Sequence, residues 1–305
     1  MTDVDLVTLL DGLDGDVATE LASKPEVVDM GHSLCIDKLP ITARKWHKLR
    51  DAVAVVADLK SSTRLGLSKH AASTAGIYQA ATGGIVEILD NFDADFVAIQ
   101  GDGAFGLFWG EGRLERAVCA GITIKTFSEK HLVPRLENKW TELPETGFKV
   151  GIGSSPLLVK RVGIPGTDHQ EPVWAGRAVN YAAKAAQQAD RHEMIVTGTI
   201  WDWASGNDYL AVSCSCAAPS PAIWEDVTID KIPENDDDRQ GKLLTSNWCA
   251  RCGPTYCANI LAGHKKRDDV TDQRTNAYKM EMRSAIRQAG AQGRRDRQAR
   301  RLGLR

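Results

Sequence analysis

The sequence predicts an α+β fold, a sheet with helices packed on one or both of its faces, and three stretches carry that expectation. Residues 52–59 (AVAVVADL) form a continuous apolar run of strand length, as a strand covered on both faces requires. Residues 95–110 (DFVAIQGDGAFGLFWG) place two apolar strands around Gln-Gly-Asp-Gly, which reads as a hairpin. Residues 174–190 (WAGRAVNYAAKAAQQAD) are rich in Ala, the residue that loses least on entering a helix.

The other elements follow in order. Residues 1–30 alternate acids with short Leu runs and read as a peripheral helix followed by a loop. The basic stretch 41–52 (ITARKWHKLRDA) leads into the first strand as helix or loop, its Lys48 and Arg50 solvated. Ile77, Ala80, Ile85, Ile88 and Leu89 recur at helical spacing and predict a long helix over 66–90; Ala117, Ala120, Ile124 and Phe127 predict a second over 111–131. Residues 148–163 (FKVGIGSSPLLVKRVG) read as a strand pair with a turn at Gly153–Pro156, and 163–172 (GIPGTDHQEP) as a polar loop. Residues 193–204 (EMIVTGTIWDWA) supply a short strand and a helical turn.

With 305 residues, 43% hydrophobic and 26% charged, the composition excludes a fibrous or wholly disordered chain. No run approaches the ~18 apolar residues of a membrane helix. The acidic start, MTDVDLVTLLDGLDGD, lacks the basic-then-apolar order of a secretory signal, so the expected location is cytoplasmic. Net charge is −2 but uneven: residues 265–305 hold thirteen Lys and Arg against five Asp and Glu, a balance of +8 that leaves −10 on the first 264. That asymmetry marks 265–305 as a separate, partly disordered basic tail suited to an acidic partner or nucleic acid.

Asp58 ends the first apolar strand, and Asp102 sits at the hairpin tip. Taken singly, an acid at a strand end or in a Gly-Asp-Gly turn is ordinary turn chemistry. Taken together, they put two carboxylates at one sheet end, as a Mg²⁺–phosphate site requires. The turn Leu59-Lys60-Ser61-Ser62-Thr63 adds N–H and hydroxyl donors at a helix start, a phosphate cradle.

At these residues the chain resembles the class III nucleotidyl cyclases, over about residues 50–200. VVADLKSST (55–63) is similar to the family's first metal motif, AIQGDGAFGLF (98–108) to its Gly-Asp-Gly hairpin, and FKVGIGSSPLLVKRVG with WAGRAVNYAAKA (174–185) to its strand and Val-Asn helix. The resemblance implies a ferredoxin-like βαββαβ core in a homodimer with active sites across the interface. It implies Asp58, Asp102 and the Leu59 carbonyl as ligands of two Mg²⁺ or Mn²⁺ ions, and Lys60, Ser61, Ser62 and Thr63 as the phosphate turn. It also implies Asn180 as the ribose-orienting residue, with Lys184 standing where the family places an arginine. The domains expected on this basis are a peripheral segment 1–45, a cyclase domain 46–212, a Cys-rich extension 213–264 and the tail 265–305.

At the two positions where the family reads a purine, this chain has Ala98 and Val173, the latter beside Trp174. Apolar side chains there point to a smaller base. The pattern is most similar to the Pycsar anti-phage pyrimidine cyclases. That resemblance implies UTP, or else CTP, as substrate, and cyclic UMP as a messenger read by a separate effector. Three alternatives stand: an adenylate cyclase with unusual base contacts, a non-catalytic nucleotide sensor, and a zinc- or RNA-binding module.

Five of the seven cysteines lie between 214 and 257. Cys214, Cys216, Cys249 and Cys252, with Cys257 and His264 nearby, are candidates for a tetrahedral Zn²⁺ site, packed free thiols being the alternative. Cys35 and Cys119 read as buried small apolar residues. The other histidines, His32, His47, His70, His131, His169 and His192, read as surface.

Overall fold

Helix α1 (Leu6–Leu21) opens the chain, capped by Asp5, whose carboxylate accepts from the Thr8 backbone N–H. The computed structural model describes residues 4–67, 69–216 and 219–272, together with Lys279 and Met282, so the expectation for the basic tail lies outside the described residues from 273 onward save those two. Strand β1 (Glu26–Gly31) pairs in parallel with β2 (Lys45–Leu59). From Lys45 onward the basic stretch is therefore strand, and only residues 41–44 remain loop. Its side chains are tied down by neighbours on β1, as in the Arg50–Asp29 ion pair at 2.9 Å.

After β2 come α2 (Ser62–Leu67), α3 (Ala71–Asn91) and the hairpin β3 (Phe96–Gln100) and β4 (Gly103–Phe108). Helix α4 (Arg113–Phe127) runs through a π-helical turn at Ser128–Leu132 into α5 (Val133–Lys139). Strand β5 (Phe148–Gly163) and β6 (Gln170–Gly176) form a long arm, followed by α6 (Arg177–Gln188), β7 (Glu193–Val196), α7 (Gly198–Ala204) and α8 (Asp208–Ala211). The chain then adds β8 (Trp224–Thr228), β9 (Gln240–Leu244) and α9 (Gly253–Leu261).

The strand order is β3-β4-β2-β5-β7-β9-β8, with β1 on β2 and β6 on β5. Strands β2, β3, β4 and β5 alone give the antiparallel order of a ferredoxin-like βαββαβ unit. Strand β9 pairs with β7, so residues 224–244 extend the same sheet.

Strand β5 is continuous, where the sequence suggested a turn at Gly153–Pro156. Ser154 and Ser155 pair with Val53 and Ala52, and the ladder irregularity falls on β2, between Leu49 and Ala52. A bulge on the partner accommodates a proline that has no N–H to give.

Two layers cover the sheet. Val53, Val55, Ala57 and Leu59 of β2 pack with α3 and α4; Ala52 and Ala54 face the other way with Leu157, Ala178 and Ala182. The second layer is tight because β5 carries glycines under α6. A Cβ on Gly151 would lie 2.0 Å from the Ala182 carbonyl oxygen. Two residues lie elsewhere than expected. His192 is held at the core edge with Nδ1 2.9 Å from Ser128 Oγ, and burial lowers its pKa, whereas Cys35 is exposed.

Candidate active site

Alternation along β2 decides where Asp58 points. Ala57 and Leu59 enter the α3–α4 layer, so Asp58 projects from the face that carries α6. Its register partner on β5 is Lys149, whose Nζ lies 2.6 Å from Asp58 Oδ2. Asp58 keeps 41% of its side-chain surface, open to a ligand.

The hairpin brings Asp102 to the same sheet end. Gly103 follows it, and a Cβ there would sit 2.3 Å from the Ala57 carbonyl oxygen and 3.3 Å from the Asp58 Cα. Only glycine lets the turn bear directly on the β2 backbone at Asp58. Two carboxylates and the Leu59 carbonyl at one strand end are hard oxygen donors, the set that fits Mg²⁺ or Mn²⁺.

The turn after β2 is partly committed elsewhere. The Lys60 N–H donates to the Gly147 carbonyl at 3.0 Å, and Lys60 Nζ lies 2.5 Å from Asp190 and 2.9 Å from Glu145. Those hydrogen bonds raise the Lys60 ammonium and hold both carboxyls below their ordinary range. Ser61 adopts a left-handed φ of 60°, and its carbonyl accepts from the Arg64 and Leu65 N–H groups, which starts α2 at Ser62 and Thr63. The turn expected after β2 thus forms, but the Lys60 side chain faces acids.

Asn180 and Lys184 stand one turn apart on α6. Asn180 Nδ2 donates to the Gly176 carbonyl at 3.2 Å, and Lys184 Nζ lies 5.1 Å from the Tyr181 ring centre. Within one chain neither makes a hydrogen bond or ion pair with Asp58 or Asp102. The helix is anchored from a loop that the sequence analysis left without a role. Asp236 accepts from the Tyr181 hydroxyl at 2.7 Å and from Arg177 at 2.9 Å. The acidic run at 234–238 was the only signal for it.

Ala98 and Trp174 come together across β3 and β6, in a cavity of about 250 Å³ lined also by Phe96, Phe105, Pro172 and Val179. Phe96 and Trp174 meet at 5.0 Å between ring centres. Trp174 Nε1 is buried with no hydrogen-bond partner among the described residues. Val173 sits apart from this cavity. On a pleated strand it faces opposite to Trp174, it is 42% exposed, and it does not line this cavity.

The fold is that of the class III nucleotidyl cyclase domains. The chain matches the crystal structure of a guanylyl cyclase with a TM-score of 0.51 at 14% identity, over 66% of this chain and 93% of that one. It matches the adenylyl cyclase CyaB from P. aeruginosa with a TM-score of 0.50 at 13% identity, over 65% and 93%. No family model matches the chain.

Sequence relatives narrow the class. The chain is 73% identical over 304 residues to a uridylate cyclase of Micromonospora echinofusca, covering all of both chains. It is 49% identical over 289 residues to a uridylate cyclase of Propioniciclava tarda, covering 93% of each. The chain belongs to the uridylate cyclase family.

Proposed function

We propose that this chain converts UTP to 3′,5′-cyclic UMP and pyrophosphate. The observation that carries the chemistry is the seating of the Asp102 turn, through Gly103, on the backbone of Asp58. The ribose 3′-oxygen attacks the α-phosphorus, the bond from that phosphorus to the bridging oxygen breaks, pyrophosphate leaves, and the 3′-hydroxyl proton is lost. Mg²⁺ or Mn²⁺ held by Asp58 and Asp102 would acidify the 3′-hydroxyl and offset phosphate charge.

The chain's own residues do the rest. Ser61, Ser62 and Thr63 receive phosphate oxygens at the head of α2. Asn180 orients the ribose, and Lys184 supplies one point charge where an arginine would offer a planar fork. Asn180 and Lys184 act on the site of a second copy, as the resemblance to the class III cyclases implies. Exposed Ile99, Val162, Ile164 and Val173 give that second copy an apolar surface to cover. The aromatic cavity at Ala98 takes the base. The cyclic nucleotide then serves as a messenger in anti-phage defence, read by a separate effector.

The test is a competition. Purified protein with Mn²⁺ receives equal ATP, GTP, CTP and UTP, and products are resolved by mass. Cyclic UMP dominates if the reading holds. Cyclic AMP as the main product overturns the base assignment, and tight UTP binding without pyrophosphate release overturns the enzyme.

A further inference from the structure

The Cys-rich region carries a feature that cyclase chemistry does not use. The Sγ atoms of Cys214, Cys216, Cys249 and Cys252 all lie within 4.8 Å of one another. Cys216 and Cys252 are 3.1 Å apart, and Cys249 and Cys216 are 3.7 Å apart. Zinc bound by four sulfurs at about 2.3 Å in a tetrahedron sets them about 3.8 Å from each other, so this cluster has the right size. We propose that these four cysteines bind one Zn²⁺ as a closed structural site.

Three further observations support it. Each chelating pair is built as a knuckle. The Cys249 sulfur accepts hydrogen bonds from the backbone N–H groups of Arg251 and Cys252, and the Cys214 sulfur accepts one from the Cys216 N–H. Donors aimed at the sulfurs stabilise metal-bound thiolates and orient them.

The two pairs also come from segments far apart in the sequence. The first pair is flanked by Ser213, whose N–H donates to the Ser220 carbonyl and whose Oγ accepts from the Ser220 N–H, and encloses Ser215, whose N–H donates to the Tyr256 hydroxyl at 3.4 Å. The second pair sits at the entry to α9, where Cys252 precedes Gly253 and Pro254. A metal joining the two closes the loop between residues 216 and 249, which among the described residues carries β8 and β9.

The remaining candidate ligands are spoken for. Cys257 is hydrogen-bonded to Cys119 inside the α4 layer, and His264 Nδ1 lies 3.3 Å from Asn259 Oδ1. Four thiolates complete the coordination sphere and leave no open position, which makes the site structural and not hydrolytic. The cluster is built on the α4–α9 side of the sheet, whereas Asp58 projects from the α6 side. Binding releases the protons of whichever thiols were protonated.

The experiment is metal analysis of the full-length protein purified without added zinc and with excess Mg²⁺. One zinc per chain is expected, released in step with mercurial modification of four thiols. Cys214→Ser and Cys252→Ser should each lose it, while Cys119→Ser and the double variant Asp58→Ala/Asp102→Ala keep it. If the Cys variants do not fold, the wild type loaded with Co²⁺ in place of zinc should show the visible bands of tetrahedral thiolate coordination. Metal-free protein with all four thiols reactive, a disulfide among them by mass, or zinc lost from the Asp58/Asp102 variant would each overturn the proposal. Zinc content is read independently of cyclase activity, so failure here and failure of the uridylate assignment are separate results.

Discussion

Lys149 Nζ pairs with Asp58 Oδ2 at 2.6 Å across the β2–β5 ladder, so the carboxylate proposed to hold a cation already holds an ammonium. The two charges compete for one ligand. Replacing Lys149 by Met should therefore lower the Mn²⁺ concentration for half-maximal rate, by roughly fivefold for about 1 kcal/mol of relieved repulsion. Asp58→Ala should cut turnover by about 10³ or more while leaving the melting temperature within a few degrees, since the side chain is 41% exposed. An unchanged metal titration in Lys149→Met would argue against cation binding at Asp58.

Asn180 and Asp58 are predicted to work in different copies of the chain. Asp58→Ala and Asn180→Ala should each be nearly inactive alone. Mixed in equal amounts under subunit exchange, they should recover about a quarter of wild-type activity, since half the dimers are mixed and each has one intact site. Activity that stays at the single-mutant level after mixing would place both residues in one chain's site.

Gly151 sets the height of α6 above the sheet. A Cβ there meets the Ala182 carbonyl at 2.0 Å and the Ala186 nitrogen at 2.4 Å, both backbone, so α6 must move. Gly151→Ala should cost roughly 1–3 kcal/mol of stability. By displacing Asn180 and Lys184 it should lower kcat by about 10²-fold with little change in UTP binding. Thermal melts and single-turnover rates check both halves.

Glu129 sets an acid limit on stability. Its partial burial opposes ionisation, but hydrogen bonds from Lys130 and Asn247 and the charges of Lys125 and Lys130 outweigh that and hold its carboxyl at about 2. A carboxyl depressed on folding stabilises in full above its unfolded value near 4.5, and that share is lost as pH falls toward 2. Glu129 is 31% exposed, so solvent screening reduces the share to about 1–2 kcal/mol. Glu129→Gln should melt lower than wild type at pH 7, because Lys125, 1% exposed, loses its counter-charge. The gap should narrow as pH drops from 5 toward 2. Parallel melting curves across that range would refute the assignment.

The amino-acid sequence by itself determined the features that local pattern encodes. The apolar run ending at Asp58, the Gly-Asp-Gly hairpin and the Ala-rich helix bearing Asn180 and Lys184 are each contained in a dozen or so residues, and backbone preference places them without help from distant parts of the chain. Tertiary structure decided what depends on partners far away in sequence. Pleat register, set by pairing β5 with β6, put Trp174 in the aromatic cavity and turned Val173 out of it. The ladder with β2 carried β5 straight through Gly153 and Pro156, where local turn preference alone said otherwise. Side-chain partners 85 and 130 residues away claimed Lys60 for Glu145 and Asp190. Among the cysteines, spacing offered five thiols and a histidine, and packing of α9 on α4 took Cys257 out of the set. A residue's identity is local, but which face it occupies and which charge it meets are settled by the chain that folds against it.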